Sequence, residues 1–354
     1  MPIDNSKSES ALGQIDQNAG LDAGQAPLLD ADAEVLQAES ISLSSSVPLE
    51  RAGDRLDVVV ADLFPEFSRA KLQGWIKDES LLVNGRACKP KMKLAGGESL
   101  QLNATPEVQG EWIAEPMDLE IVYEDAHILV VNKPAGLVVH PAAGNYQGTL
   151  LNGLIHYNPS QRLLPRAGIV HRLDKDTTGL MVVAKTELAQ TDLVRQMQAR
   201  TVKRQYEAIV MGDVRQSGVV RGDIGRHPTS RTRMAVVTSG GKEAITHYAG
   251  LARYNGFTHL ELQLETGRTH QIRVHMAHLG HPLVGDATYG KRLNAKAMRA
   301  QPDLVAVDQF HRQALHAAKL GLFHPESGEA LQWQVPLPED MSHLLALIKA
   351  AATS

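Results

Sequence analysis

With 354 residues, 43% of them hydrophobic and 21% charged, the chain is long enough for one large domain with a real core and a second, smaller one. A single cysteine, Cys88, excludes an intramolecular disulfide and a cysteine-based zinc site, and fits a reducing compartment. No apolar run approaches membrane-spanning length and the acidic start lacks the pattern of a secretory signal, so a cytoplasmic protein without a membrane partner is expected. The formal net charge of −4 hides an asymmetry: residues 1–50 hold nine acidic side chains against one lysine, whereas the rest holds 35 Lys/Arg against 31 Asp/Glu. An acidic segment ahead of a mildly basic body hints at a polyanionic partner for the body.

Residues 1–48 are rich in Ser, Ala, Gln, Asp and Glu, without an aromatic residue or sustained periodicity, and are expected to be a disordered acidic tail. The texture changes at Arg51. Leu56, Val59 and Leu63 have helical spacing, and a second amphipathic helix runs from Ser68, an N-cap, through Ala70, Leu72 and Ile76. Leu81–Val83 reads as a strand entering the Asn84-Gly85 turn, and Glu98–Leu102 as another strand. Two short helices carrying Arg69 and Lys71, beside a small sheet with Arg86, Lys89, Lys91 and Lys93, resemble the S4 RNA-binding module over residues 51–104. A solvated basic face is the plainer reading of the lysine loop alone. Residues 105–116 are the expected linker.

The large domain is expected over residues 117–351. Ile128–Lys133, Pro134-Ala135-Gly136 and Leu137–Val139 read as a strand, a turn and a second strand, hence a hairpin. Leu150–Tyr157 is a short helix. Next comes the most polar string, His171-Arg172-Leu173-Asp174-Lys175-Asp176-Thr177-Thr178-Gly179, set between Ile169-Val170 and the apolar run Leu180–Ala184. Such a string turns at the end of a sheet or lines a cleft, because buried it would leave backbone groups unpaired. An Asp-x-Asp-x-Thr phosphotransferase would need apolar strand up to its first Asp and a metal-binding string later on, and neither is present. A kinase catalytic loop is broken by Leu173 and lacks a glycine-rich phosphate loop upstream. A turn-forming or capping Asp is the bland alternative. A single basic or nucleophilic Asp174 with Arg172 two residues before it is the reading with support elsewhere.

Glu187–Arg200 is a longer helix, and Lys203–Val210 a strand carrying Tyr206. Gly225–Met234 is a loop whose Arg226, Arg231 and Arg233 suit phosphate groups. His259–Glu265 alternates as a strand, Thr266–Thr269 turns, and Gln271–Leu279 is a helix with Ile272, Met276 and Leu279 as its expected buried stripe. His270, His275, His278 and His281 do not share one helical face with a carboxylate or thiol, so no metal site is expected. Ala314–Leu322 and Leu331–Pro336 add sheet, and Ser342–Ala351 a closing helix.

The central string, with Thr177-Thr178-Gly179-Leu180, resembles the central motif of the pseudouridine synthases that modify ribosomal RNA. Lys133-Pro134 resembles the first motif of that family, Tyr206 falls in its second, and Gly267–His275 with Gly280–Asp286 resembles its third. Together with the S4-like segment the resemblance spans residues 51–350. It implies an α+β fold: a catalytic domain around a mixed, mostly antiparallel sheet with a central cleft, preceded by the small RNA-binding domain and the acidic tail. It implies that uridines of large-subunit (23S) ribosomal RNA, in a stem-loop, are flipped out and isomerised with Asp174 as the catalytic residue, Tyr206 stacked on the uracil and Arg273 paired with Asp174. Arg172 would fill the gap left by the flipped base, Arg268 would bind phosphate, and Lys133 would be architectural. The reaction is an isomerisation, so no cofactor is expected. The partner would be large-subunit ribosomal RNA or a pre-ribosomal particle, met by a monomer. A catalytically idle RNA-binding assembly factor would share the S4 module and basic loops, but would have no use for Asp174, Tyr206 and Arg273.

Overall fold

The computed structural model describes residues 40–105, 112–142, 146–230, 232–293, 295–301 and 303–353, so the expected disorder of the tail lies outside the described residues as far as Glu39. The tail boundary at residue 48 moves. Strand β1 (Ile41–Ser46) precedes helices α1 (Leu56–Leu63) and α2 (Arg69–Lys77) and strands β2 (Leu81–Val83) and β3 (Ser99–Ala104). β3 is the middle strand of this sheet, and β1 runs antiparallel to its whole length, from Ile41 opposite Ala104 to Ser46 opposite Ser99. The serine-rich composition makes Ile41–Ser44 read as no more than a weak strand, because only Ile41 and the following Val47 face the small core. That core is built from Leu56, Val59, Leu72, Ile76, Leu100 and Leu102, and the strict alternation of β3 supplies its sheet side.

The rest of the chain folds as β4 (Ile121–Glu124), β5 (Ile128–Lys133), α3 (Leu150–Tyr157), β6 (Thr178–Ala184), α4 (Glu187–Gln198), β7 (Lys203–Met211), β8 (Gly218–Arg221), β9 (Ile224–Arg226), β10 (Met234–Val236), β11 (Ile245–Tyr254), β12 (Phe257–Leu264), α5 (Gln271–His278), α6 (Ala295–Ala300), α7 (Asp303–Asp308), β13 (Leu315–Phe323), β14 (Ala330–Gln334) and α8 (Glu339–Thr353). Among the described residues, nine strands form one sheet in the order β4-β5-β6-β13-β7-β12-β11-β8, with β14 beside β13. Every pairing is antiparallel except β6 with β13, so the sheet is mixed and mostly antiparallel, as the resemblance implied.

Alternate residues of the central strands feed different cores. Leu129, Val131, Met181, Val183, Tyr206, Ala208, Leu260 and Leu262 join Leu173, Ile272 and Met276 on one face. Val130, Leu180 and Val182 pack on the other face with Ala189 and Leu193 of α4. Burial on both faces explains why β5 and β6 read as unbroken apolar runs.

Two expectations are corrected. Residues 137–139 do not return as a hairpin strand; β5 pairs with β4 and β6, while Val138 makes a lone parallel bridge to Thr149. Pro134 has no N–H to give to a ladder, and the buried Lys133 ammonium draws the carbonyls of Pro134 and Leu137 onto itself, curling the segment away. On α5, Ile272 and Met276 are buried but Leu279 is exposed at the helix end. Gln271–Met276 is instead buried all round, so the apolar stripe understated how deeply this helix enters the fold.

Gly179 permits the one parallel pairing. Its φ is +112°, and a Cβ there would lie 2.3 Å from the Ala317 carbonyl oxygen. Gly179→Ala is expected to cost about 2 kcal/mol or more, read as a fall in the urea midpoint at constant slope. A midpoint within experimental error of wild type would show that β6 and β13 can separate freely.

Candidate active site

The polar string forms the loop between Ile169, bridged to Val183, and the start of β6. Much of it is tied to the surrounding fold. The backbone N–H of Val182 donates to His171 Nε2 at 3.1 Å, and Leu173 is buried in the core beneath. Thr177 N–H closes a turn onto the Asp174 carbonyl at 3.0 Å. Gln313 donates to the Thr177 hydroxyl, and Thr178 meets His316 Nδ1. Lys133 Nζ donates to the carbonyls of Pro134, Leu137 and Lys175 at 2.7, 3.0 and 2.9 Å. Burial brings this lysine down to about 7, against the pull of Asp176 and Asp174. It is 1% exposed, so it acts as a tie between the first motif and the loop rather than as a group open to a substrate.

These ties present Asp174 to α5. Arg273 Nη1 donates to Asp174 Oδ2 at 2.9 Å, while Nε and Nη2 of the same guanidinium grip Asp286 at 2.7 and 2.9 Å. Asp286 in turn accepts the backbone N–H groups of Thr288 and Tyr289. Burial works against the arginine's charge, but Asp286 and Asp174 outweigh it and hold Arg273 above the usual arginine range. Burial likewise works against the Asp286 carboxylate, and the bonds from Arg273 and the two backbone donors hold it below its ordinary value. The Tyr289 ring lies against this pair, with the Arg273 guanidinium carbon 5.2 Å from its centroid. His270, in the left-handed conformation at the start of α5, joins its Nδ1 to the Tyr289 hydroxyl at 2.9 Å and sets Nε2 3.9 Å from Asp174 Oδ1. Burial lowers its pKa below the ordinary histidine value.

Above Asp174 opens a cleft of about 860 Å³, walled by Arg172, Tyr206, Leu264, Arg268 and His270 among others. Tyr206 belongs to the core face of β7 and is 5% exposed; burial, with Asp174's charge added to it, raises its phenol above the usual tyrosine value in spite of Arg204. Asp174, Tyr206 and Arg273, named from the sequence, thus line one cavity. Arg172 is exposed on its wall, and Arg268 Nε donates to the Glu243 carbonyl at 2.9 Å there. Arg226 is exposed in β9. Arg233 is drawn inward to the Thr288 carbonyl and the Tyr289 ring. Arg231 lies outside the described residues.

In the small domain the two helix-borne candidates have protein partners. Arg69, with Arg55 and Gln73, bonds the buried Asp57; burial opposes that carboxylate's charge, yet the three donors bring it to about 2. Lys71 pairs with Glu187 of α4 and lies 4.9 Å from the Trp75 ring centroid. Arg86, Lys89 and Lys91 stand exposed on the neighbouring loop. Sequence reasoning passed over Asp286, Tyr289 and His270 as functional groups. Asp286 and His270 stood within the third motif string, and an acidic residue beside glycines thirteen positions after an arginine was the available signal.

Two family models match the chain: RNA pseudouridylate synthase over residues 127–278 and the S4 domain over residues 54–100. The chain is 54% identical over 311 residues to the ribosomal large subunit pseudouridine synthase D of Pseudomonas aeruginosa, an alignment covering 88% of this chain and 97% of that protein. The chain belongs to the RNA pseudouridylate synthase family. The synthase D of Escherichia coli K12 is 49% identical over 314 residues, covering 88% and 96% of the two chains. Among solved structures, the human RNA pseudouridylate synthase domain containing 4 is similar at 26% identity and a TM-score of 0.51, over 65% of this chain and 92% of that one. The family match contains Asp174, Tyr206 and Arg273 but ends at His278, so Asp286 and Tyr289, which hold the arginine, fall beyond it.

Two outcomes follow from the geometry. His171 accepts a backbone proton in its neutral form, and burial, helped by Arg204, lowers its pKa from 6.5 to about 3. Between those values the unfolded chain takes up a proton that the folded chain refuses, so this histidine's contribution to stability is complete above pH 6.5 and is lost progressively toward pH 3. His171→Gln should flatten the fall of urea stability between pH 7 and pH 4; an identical pH profile would show that the ring is protonated freely in the fold. Asp286→Asn should lower stability by about 3 kcal/mol, because it strips the buried Arg273 of its bidentate partner. A urea midpoint unchanged from wild type would mean that Asp174 alone suffices to hold the arginine.

Proposed function

We propose that the chain isomerises uridine to pseudouridine in large-subunit ribosomal RNA, with Asp174 as the catalytic group. The observation that carries this reading is the Asp174–Arg273 ion pair at the base of a cleft beside the buried Tyr206. Its support for a ribosomal substrate is the 54% identity to a large-subunit synthase across nearly the whole of that relative.

The chemistry needs what this site holds. The N1–C1′ bond breaks, the detached uracil turns within the cleft, C5 bonds to C1′, and the C5 proton is exchanged for one on N1, so composition is conserved. Asp174 begins the sequence as a carboxylate, either by attack on C1′ or by taking the C2′ proton, and both routes use the charge that Arg273 compensates. Tyr206 offers the uracil a ring face and lies where it can help move the C5 proton. The nucleotide must leave its stack to reach a site this enclosed, and the exposed Arg172 on the wall is suited to occupy the space it vacates. The small domain, with its exposed Arg86, Lys89 and Lys91, adds phosphate contacts away from the reacting base. The substrate is free or particle-bound large-subunit RNA, the enzyme acts as a cytoplasmic monomer, and the reaction requires no cofactor.

Asp174→Asn keeps the shape and most hydrogen bonding of the side chain and removes its charge. It should abolish pseudouridine formation in a uridine-containing large-subunit transcript, read as the loss of carbodiimide-stable adducts, while RNA affinity and melting temperature stay near wild type. Arg273→Met, which removes the paired cation, should likewise lower turnover at least a hundredfold, about 2.7 kcal/mol in barrier. Substantial turnover by folded Asp174→Asn protein would overturn the assignment.

A further inference from the structure

Arg166, Ala167 and Gly168, just ahead of the central loop, are three successive residues with positive φ, at 55°, 51° and 76°. A side-chain-bearing residue is disfavoured in that conformation, and two in succession persist only where the surroundings over-determine them. They do so here. Buried Gln161 donates from Nε2 to both the Ala167 and Ala184 carbonyls at 3.0 Å. Ala167 N–H donates to Leu164 O, and Ile169 N–H to Arg166 O. A Cβ at Gly168 would stand 2.0 Å from the Ala184 carbonyl oxygen, so the bend has no room to relax there.

Packing accounts for Ala167 and Gly168, which are buried, but not for an arginine at 166, where glycine would take the same φ without strain. The Arg166 side chain is exposed and lines the cleft. Other arginines of the cleft are engaged: Arg273 by two carboxylates, Arg200 by Glu243 and Glu265, and Arg204 and Arg268 by backbone carbonyls. Among the described residues, only Arg166 and Arg172 of the cleft arginines lack a carboxylate or carbonyl partner. Both act on the same neighbour, His140, whose pKa is lowered to about 4 by burial and then by these two charges. Arg172 already has a place in the space that the flipped base vacates, so the unpartnered guanidinium of Arg166 is the one left to meet an anion with acceptor oxygens.

We propose that Arg166, held left-handed beside Arg172, forms a phosphodiester-binding subsite for the RNA strand adjoining the uridine in the cleft. The proposal rests on the RNA-substrate reading given above and adds a contact to it.

The test uses the full-length protein, a uridine-containing stem-loop transcript of large-subunit ribosomal RNA, and two variants, Arg166→Gly and Arg166→Lys. Glycine accepts the local φ, so Arg166→Gly should melt no lower than wild type. It should nonetheless bind the transcript several-fold more weakly at low salt. The slope of log affinity against log salt should fall by about 0.7, the value for one single-strand phosphate contact. The loss should appear in KM more than in kcat, and Arg166→Lys should restore the slope. An unchanged slope in Arg166→Gly overturns the subsite. So does a lost slope that Arg166→Lys fails to restore, which would trace the effect to the bend rather than to charge. A wild-type protein that binds the transcript yet makes no pseudouridine would refute the functional reading while the slopes still decide on the subsite.

Discussion

The structure of the site depends on one guanidinium shared unequally between two carboxylates. Asp286 takes two of the Arg273 nitrogens and fixes the plane of the group, which leaves Nη1 aimed at Asp174. A buried arginine with one partner would be expensive to keep charged, and with two it carries a fixed cation into the base of the cleft. The geometry then propagates outward. Tyr289 packs on the guanidinium, His270 bonds to Tyr289, and the left-handed turn at His270 starts the helix from which Arg273 projects.

The opposite side of the pair is held by different means. Asp174 stands on a loop whose carbonyls at Lys175 and Asp176 accept from Lys133 and Arg312, whose Thr177 hydroxyl accepts from Gln313, and whose own His171 ring accepts from the Val182 N–H of β6. None of these ties needs to touch a substrate, and they draw on the end of β5, the stretch leading into β13 and the loop itself. That dispersal is why a buried amine such as Lys133 can be indispensable to the position of a carboxylate it does not contact. It also explains the all-buried character of β6, since the strand that follows the loop must be immobile on both faces to hold it.

Much of this was legible beforehand. Asp174 stood in a string whose polar content had no use in a core, Tyr206 and Arg273 stood out through the family resemblance alone, and the alternation of β12 and the apolar runs of β5 and β6 marked the sheet that carries them. The remainder was hidden for a common reason: partners distant in sequence. Arg69 and Lys71 read as open RNA contacts of the S4-like module because Asp57 and Glu187, which engage them, lie 12 and 116 residues away. Residues 134–139 read as a hairpin because nothing local says that one ammonium will collect their carbonyls. Asp286 was in view as a letter of a motif, but its hold on Arg273 exists only once the chain has turned back after α5.

The serine-rich strand β1 bears on where this protein can be cut. β3 is the middle of a three-stranded sheet only because β1 covers its outer edge, through six residue pairs. A fragment begun at Arg51, or at the family boundary of residue 54, would leave β3 as a bare edge with its backbone N–H and C=O groups facing solvent. Such an edge is a template for another chain, and the fragment would be drawn toward intermolecular strand pairing that the intact protein avoids. The least hydrophobic strand of the small domain thus serves as its guard against self-association.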